Sequence, residues 1–276
     1  MIYQIDDLEM YYEVIGSGTP IVIIHGFTLD HRSMKECMEP IFNKRQTWQR
    51  IYLDLPGHGK TKGVEWIKNS DDMLHVLIDF IEATIPRERF LVAGLSYGGY
   101  LARGLIYKKM DLIDGLLLIV PRIVSHPLKR ILPPRIVFEK DERFLSSLST
   151  IEREGFEEIS VILNDRVFNR YSKEITPAVQ VADNTFLQRL DNTKDSFSFD
   201  VDQLPAKFEK PTLFLLGRQD HIVGYEDAWN LIEQYPRATL VVLDKAGHGL
   251  QMEQVNLFEV LVENWLDRTL EADSIK

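Results

Sequence analysis

The chain has 276 residues, 45% of them apolar and 27% charged, the ordinary make-up of a globular protein, and its size lets one large core bury about three-quarters of the unfolded surface. Acidic residues outnumber basic ones by 42 to 32, a net charge of −10 that repels nucleic-acid backbones and anionic membrane surfaces. A single cysteine, Cys37, excludes an internal disulfide and any paired-cysteine metal site, and points to a reducing compartment.

In chain order, the first fourteen residues read as a hairpin, with Tyr3, Ile5, Leu8, Met10 and Tyr12 alternating around Asp6-Asp7. They lack the basic start and apolar core of a secretion signal, so a cytoplasmic protein is expected. Short β-branched or apolar runs follow at Ile21 to Ile24, Ile51 to Leu53, Phe90 to Ala93, Leu116 to Val120, Leu213 to Leu216 and Leu240 to Leu243. Such runs suit strands buried on both faces, and none approaches the roughly 20 residues of a membrane span. Segments of helical period lie between them. In the clearest, Ser70 is read as the N-cap, Asp71 and Asp72 fill the first turn, and Met73, Val76, Leu77, Phe80 and Ile81 share a face. Further helices are expected at 97–109, 225–235 and 254–270. Strands alternating with helices predict an α/β protein with a mostly parallel central sheet.

One connection breaks the rhythm. Between Val120 and Thr212 lie about 90 residues, where a strand-to-strand loop usually has only a few. Helices are expected at roughly 139–150 and 152–164, and from a Thr176 N-cap with Pro177 at the first helical position through Leu190. The reading is a core of 1–121 and 206–276 with an inserted, mainly helical cap at 122–205. Phe138, Phe144, Phe156, Phe168, Tyr171 and Phe186 are its candidate pocket walls, one or two of them expected to touch substrate.

The residues richest in chemistry are Gly94-Leu95-Ser96-Tyr97-Gly98, where a buried strand runs into a helix. A sharp turn that exposes a serine leaves no room for side chains two positions either side, which accounts for Gly94 and Gly98. A serine hydroxyl needs a base to take its proton, and the base needs an orienting carboxylate. Of seven histidines, His248 lies just past the last expected strand, in Gly247-His248-Gly249. Asp220 follows the strand Leu213 to Leu216, whereas the rival acid position after Val120 holds Pro121 and Arg122. His58 and His25 are read as structural. No zinc-binding, dinucleotide or phosphate-loop pattern occurs, so no cofactor or metal is expected.

Taken together, His25-Gly26-Phe27, Asp54-Leu55-Pro56-Gly57-His58-Gly59, the Ser96 turn, Asp220 and Gly247-His248 make the chain resemble the α/β-hydrolase fold along essentially its whole length. The resemblance implies a central sheet of about eight strands, a Ser96–Asp220–His248 triad, and an oxyanion hole made by the backbone N–H groups of Phe27 and Tyr97, with Gly26 letting the loop approach closely. The fuller Gly-rich form of that loop is absent, since Thr28 and Leu29 follow Phe27. What it implies in activity is a cofactor-free serine hydrolase of small or medium esters or related acyl compounds. C–C bond hydrolysis, haloperoxidase-like perhydrolysis and a non-catalytic binding role are its alternatives. A helical cap of this kind often serves as a mobile lid, and the resemblance fixes no oligomeric state.

Overall fold

The computed structural model describes residues 1–45, 47–192 and 196–274. The chain begins with a hairpin, β1 (Ile2–Ile5) and β2 (Leu8–Ile15), paired in antiparallel fashion with Ile5 opposite Leu8. β3 (Thr19–Ile24), α1 (His31–Phe42), β4 (Trp48–Leu53), α2 (Ser70–Thr84), β5 (Phe90–Leu95), α3 (Tyr97–Lys109) and β6 (Ile113–Ile119) follow as alternating strands and helices. After a long excursion the sheet resumes with β9 (Thr212–Gly217), α9 (Glu226–Trp229), β10 (Ala238–Leu243), α10 (Leu250–Glu253) and α11 (Val255–Ser274). The eight long strands form one sheet in the order β1-β2-β4-β3-β5-β6-β9-β10, parallel from β4 to β10. This is the α/β architecture with a mostly parallel, eight-strand sheet that the alternating pattern predicts.

Period-two alternation divides each buried strand between the two faces. Val22, Ile24, Val92, Leu116, Leu118, Phe214 and Leu216 pack with α2 and α3 residues such as Leu77, Phe80, Leu101 and Leu105. Ile21, Ile23, Leu91, Ala93, Leu117, Ile119, Leu213 and Leu215 pack on the other face with Met34, Met38, Phe258 and Trp265 from α1 and α11. The runs read as apolar throughout because both faces are covered by helices.

Local chemistry moves several expected boundaries. The N-cap of α2 is Asn69, whose side chain accepts from the Asp72 N–H; Ser70 is the first helical residue and its hydroxyl instead meets the Tyr97 hydroxyl at 3.0 Å. The helix expected over 225–235 is the single turn α9 followed by a 3₁₀ turn at Ile232–Gln234. In the excursion, 139–150 is not one helix: β7 (Glu139–Lys140) pairs in parallel with β8 (Ile162–Leu163), and α4 (Glu142–Leu145) is one turn. Ser149 and Glu152 form a reciprocal capping box that starts α5 (Thr150–Ile159), and the pairing of β8 ends it early.

A further helix, α6 (Asp165–Glu174), capped by Asn164, is one that the periodicity did not predict. Thr176 makes no capping bond, α7 (Thr176–Val179) is a single turn, and α8 (Asn184–Asn192) starts anew where the Asp183 carboxylate accepts from the Phe186 N–H. Phe186 seats this end of the excursion: its ring lies over Gly57 and Gly63, where a Cβ would stand 2.2 Å and 2.3 Å from ring atoms. No helix among the described residues is long and apolar enough to cross a membrane.

Candidate active site

Strand β5 delivers Ser96 at the C-terminal edge of the sheet, in a backbone conformation (φ 52°, ψ −109°) that side-chain-bearing residues rarely adopt and that costs about 1–3 kcal/mol. Neighbouring strands hold it there. Its N–H donates to the Ile119 carbonyl at 2.9 Å, and its carbonyl accepts from Tyr100 N–H at 3.1 Å and Arg122 N–H at 3.0 Å. The flanking glycines are required by contact. A Cβ on Gly94 would lie 2.3 Å from the Gly98 carbonyl oxygen, and one on Gly98 would lie 2.4 Å from that of Ile24.

The structure brings the three sequence-predicted side chains into one chain of contacts. His248 Nε2 stands 3.0 Å from Ser96 Oγ, and His248 Nδ1 stands 2.9 Å from Asp220 Oδ2. Asp220 is fully buried, and its other oxygen accepts from the N–H groups of Ile222 (2.9 Å) and Val223 (3.0 Å). An ionised carboxylate only accepts, so the imidazole proton sits on Nδ1 and leaves Nε2 to accept from the serine O–H. Arg122, at the rival acid position, spreads its guanidinium over the rings of Tyr97 (4.5 Å) and Tyr100 (4.7 Å).

The loop after β3 runs beside the serine. A Cβ on Gly26 would be 3.4 Å from Ser96 Cβ, and Phe27 lines the same cavity as Ser96. His25 ties this loop to the neighbouring turn: Nδ1 donates to the Gly26 carbonyl at 2.7 Å, and Nε2 accepts from the Leu55 N–H at 3.0 Å. Burial lowers the His25 pKa and pushes that of His58, packed against it, down to about 3, so both rings stay neutral. Neither contacts Ser96 through a hydrogen bond, and His58 bonds the Pro56 carbonyl instead, as expected of structural histidines. Tyr97 opens α3, where the helix geometry aims backbone N–H groups and the positive dipole end at the serine.

A cavity of about 390 Å³ lies over Ser96 and His248. Its walls are Phe27, Leu29, Leu95, Ile159, Ile175, Val179 and Ile222, with Thr28, Glu158, Tyr171 and Gln251 adding polar atoms. Of the six aromatic wall candidates only Tyr171 lines it. Phe144, Phe156 and Phe168 stack on one another and on Tyr171, Phe186 seats the excursion, and Phe138 is exposed. The wall is therefore mostly aliphatic.

Two groups went unnoticed in the sequence. Asp30, His31 and Asp54 converge closely enough for a cation, but their atoms are engaged: Asp30 pairs with Arg32, and Asp54 accepts from the His31 backbone and ring and from Lys60 N–H. Glu253 is buried at 3% exposure beside the His248 loop, and burial lifts its carboxyl to about 7. Its only sequence signal is a charge directly after the apolar Leu250 and Met252.

Comparison with known proteins identifies the family and the fold. The model of a family described as the alpha/beta hydrolase family matches residues 21–258. A solved alpha/beta superfamily hydrolase from Oenococcus oeni PSU-1 is 31% identical, superposes with a TM-score of 0.87, and is covered over 99% of its chain by 98% of this one. Among curated relatives, the pimeloyl-[acyl-carrier protein] methyl ester esterase of Legionella pneumophila (strain Corby) is 25% identical, over 94% of this chain and 100% of its own. The 2-hydroxymuconate semialdehyde hydrolase of Pseudomonas putida is 27% identical, over 94% and 90%.

Proposed function

This chain belongs to the α/β-hydrolase family, and from that premise we propose that it is a serine hydrolase of small or medium carboxylic esters or related acyl compounds. The observation that carries the reading is the unbroken line Ser96 Oγ, His248 Nε2, His248 Nδ1, Asp220 Oδ2, with separations of 3.0 Å and 2.9 Å, at the floor of a cavity. Ser96 attacks the substrate carbonyl while His248 takes its proton; Asp220 fixes the imidazole tautomer and stabilises the imidazolium that forms. The oxyanion is met by the Phe27 and Tyr97 N–H groups, a pair of fixed donors of a kind whose individual members contribute about 3–4 kcal/mol. His248 returns the proton to the leaving alcohol, then activates a water that releases the acyl group from Ser96. Residues 122–205 act as the cap that shapes the acyl pocket.

The 25% identity to an esterase along nearly the full length favours ester chemistry, and the mostly aliphatic wall suits an unbranched or small acyl chain. The 27% relative that hydrolyses 2-hydroxymuconate semialdehyde supports a second reading, in which the same groups attack a ketone and a carbon–carbon bond breaks. The test is turnover of p-nitrophenyl esters, a ketone substrate of that type, and labelling by a fluorophosphonate. The expected result is ester turnover and an adduct on Ser96, both lost in Ser96→Ala. Ester turnover that survives Ser96→Ala overturns the proposal, and an unlabelled Ser96 favours a binding role for the cavity.

A further inference from the structure

Glu253 closes the single turn α10 and is buried against the excursion between β6 and β9. Taking a carboxylate out of water costs several kcal/mol unless hydrogen bonds replace the water, and here the replacements are all backbone N–H groups. Oε2 accepts from Gly247 at 2.6 Å; Oε1 accepts from Val161 at 2.6 Å and Ile162 at 3.2 Å. Gly247 is the residue before His248. On the other side, the Gly249 N–H donates directly to the Ile159 carbonyl at 3.2 Å. Both neighbours of His248 are thus tied to residues 159–162, one through Glu253 and one directly. The two segments are also in close contact, since a Cβ on Gly247 would stand 3.0 Å from both the Ile159 oxygen and a Val161 methyl. Ile159 itself lines the cavity.

We infer that Glu253 is a positioning residue for His248: by clamping Gly247 to Val161 and Ile162 it makes the alignment of the base and the seating of the cavity roof one structural event. The inference rests on the reading of Ser96 and His248 as nucleophile and base. A histidine on a loop tethered at one side only can drift by the ångström that costs proton transfer about a hundredfold. The carboxylate suits the task because it offers a separate acceptor oxygen to each segment, whereas an amide offers one oxygen and an N–H₂.

The variant is Glu253→Gln, which keeps the size of the side chain but turns an N–H₂ toward one of the three backbone donors, so one segment must let go. The measurements are kcat and KM on a p-nitrophenyl ester, the rate of Ser96 labelling by a fluorophosphonate, and the melting temperature. Labelling reads the Ser96–His248 pair without any acyl-pocket contribution. The expected result is that kcat and labelling rate fall together by about 10- to 100-fold with KM within about threefold. A folded variant with kcat and labelling within about twofold of the wild type, whatever its melting temperature, overturns the inference and leaves Glu253 a purely structural group. If the glutamine variant does not fold, Glu253→Asp, which keeps the charge but cannot reach both segments, is read by the same criteria. Wild-type protein that fluorophosphonate does not label, or an active Ser96→Ala, instead removes the catalytic reading beneath it.

Discussion

Asp220 meets His248 with one carboxylate oxygen and its own loop with the other, so the same side chain orients the imidazole and is itself held by the Ile222 and Val223 N–H groups. Because the loop bonds use Oδ1 alone, an amide in place of the carboxylate keeps the loop and changes only what His248 encounters.

In Asp220→Asn, Oδ1 continues to accept from the two N–H groups while the new amide N–H₂ faces His248 Nδ1. That nitrogen must then accept, the proton moves to Nε2, and the base can no longer take the serine proton. The expected outcome is a fall in kcat of about 10³–10⁴ with little change in melting temperature. Steady-state kinetics beside calorimetry check it; a loss below tenfold would place the orienting role elsewhere.

Ser96 is held at φ 52° by its bonds to Ile119, Tyr100 and Arg122, a conformation glycine adopts freely. Both Ser96→Ala and Ser96→Gly remove the hydroxyl, but only the second removes the strain. Ser96→Gly is expected to be more stable than Ser96→Ala by about 1–2 kcal/mol, net of the greater unfolded-state freedom of glycine. Denaturant unfolding of the two inactive proteins compares them directly, and equal midpoints would mean that the turn is unstrained.

The Glu253 carboxyl is raised to about 7, chiefly by burial. A folded pKa above the unfolded value of 4.5 means that this group favours the fold most below pH 4.5, and that the contribution is lost as the pH rises through about 7. Glutamine does not titrate. The stability difference between Glu253→Gln and wild type is therefore expected to shift in the variant's favour between pH 4 and pH 8, by on the order of 3 kcal/mol. Urea unfolding at the two pH values measures the shift, and a difference independent of pH would contradict the raised carboxyl. Together with reduced kcat, such a shift would show a buried charge kept at the expense of stability.

Phe186 fills the hollow above Gly57 and Gly63, and the Asp183 N–H donates to the Gly57 carbonyl at 2.9 Å. Phe186→Ala is expected to cost about 3–5 kcal/mol if this end stays docked, or less if α8 lifts away instead. Hydrogen exchange over 184–192 separates the two: docked helix amides stay protected, lifted ones exchange quickly. Unchanged stability with unchanged protection would mean that the seat contributes nothing.

The parts of the site that could be read from sequence are those in which one residue type answers a local need. Gly94 is dictated by a contact within the turn and Gly98 by the neighbouring end of β3, and Asp220 and Gly247-His248 follow strands whose apolar runs are unmistakable. The excursion was harder to read because its helices are short and set by caps rather than by long apolar stripes. Ser149 with Glu152 and Asp183 shift the starts of expected helices, Asn164 begins one that periodicity does not suggest, and Asn69 displaces Ser70 by the same mechanism. Of the six aromatic candidates, of which one or two are expected at the pocket, Tyr171 alone lines the cavity, and Phe144, Phe156 and Phe168 pack on one another. Glu253 carries little signal in the pattern, since two of its three partners are backbone N–H groups about 90 residues earlier in the chain.

Strands β6 and β9 pair directly, Leu116 beside Thr212 through Ile119 beside Leu215, although about 90 residues separate them in sequence. The chain thus leaves the sheet and re-enters it in the adjacent lane, and the hydrogen-bond ladder is complete without any contribution from what lies between. Lengthening such a detour is cheap, since doubling a flexible loop costs only about 0.6 kcal/mol. As far as the sheet is concerned the detour is free to change in length, but residues 159–162 within it, tied to Gly247 through Glu253 and to Gly249 directly, cannot change without reaching His248. In a molecule built this way, the sheet tolerates changes in the detour that the loop of His248 does not.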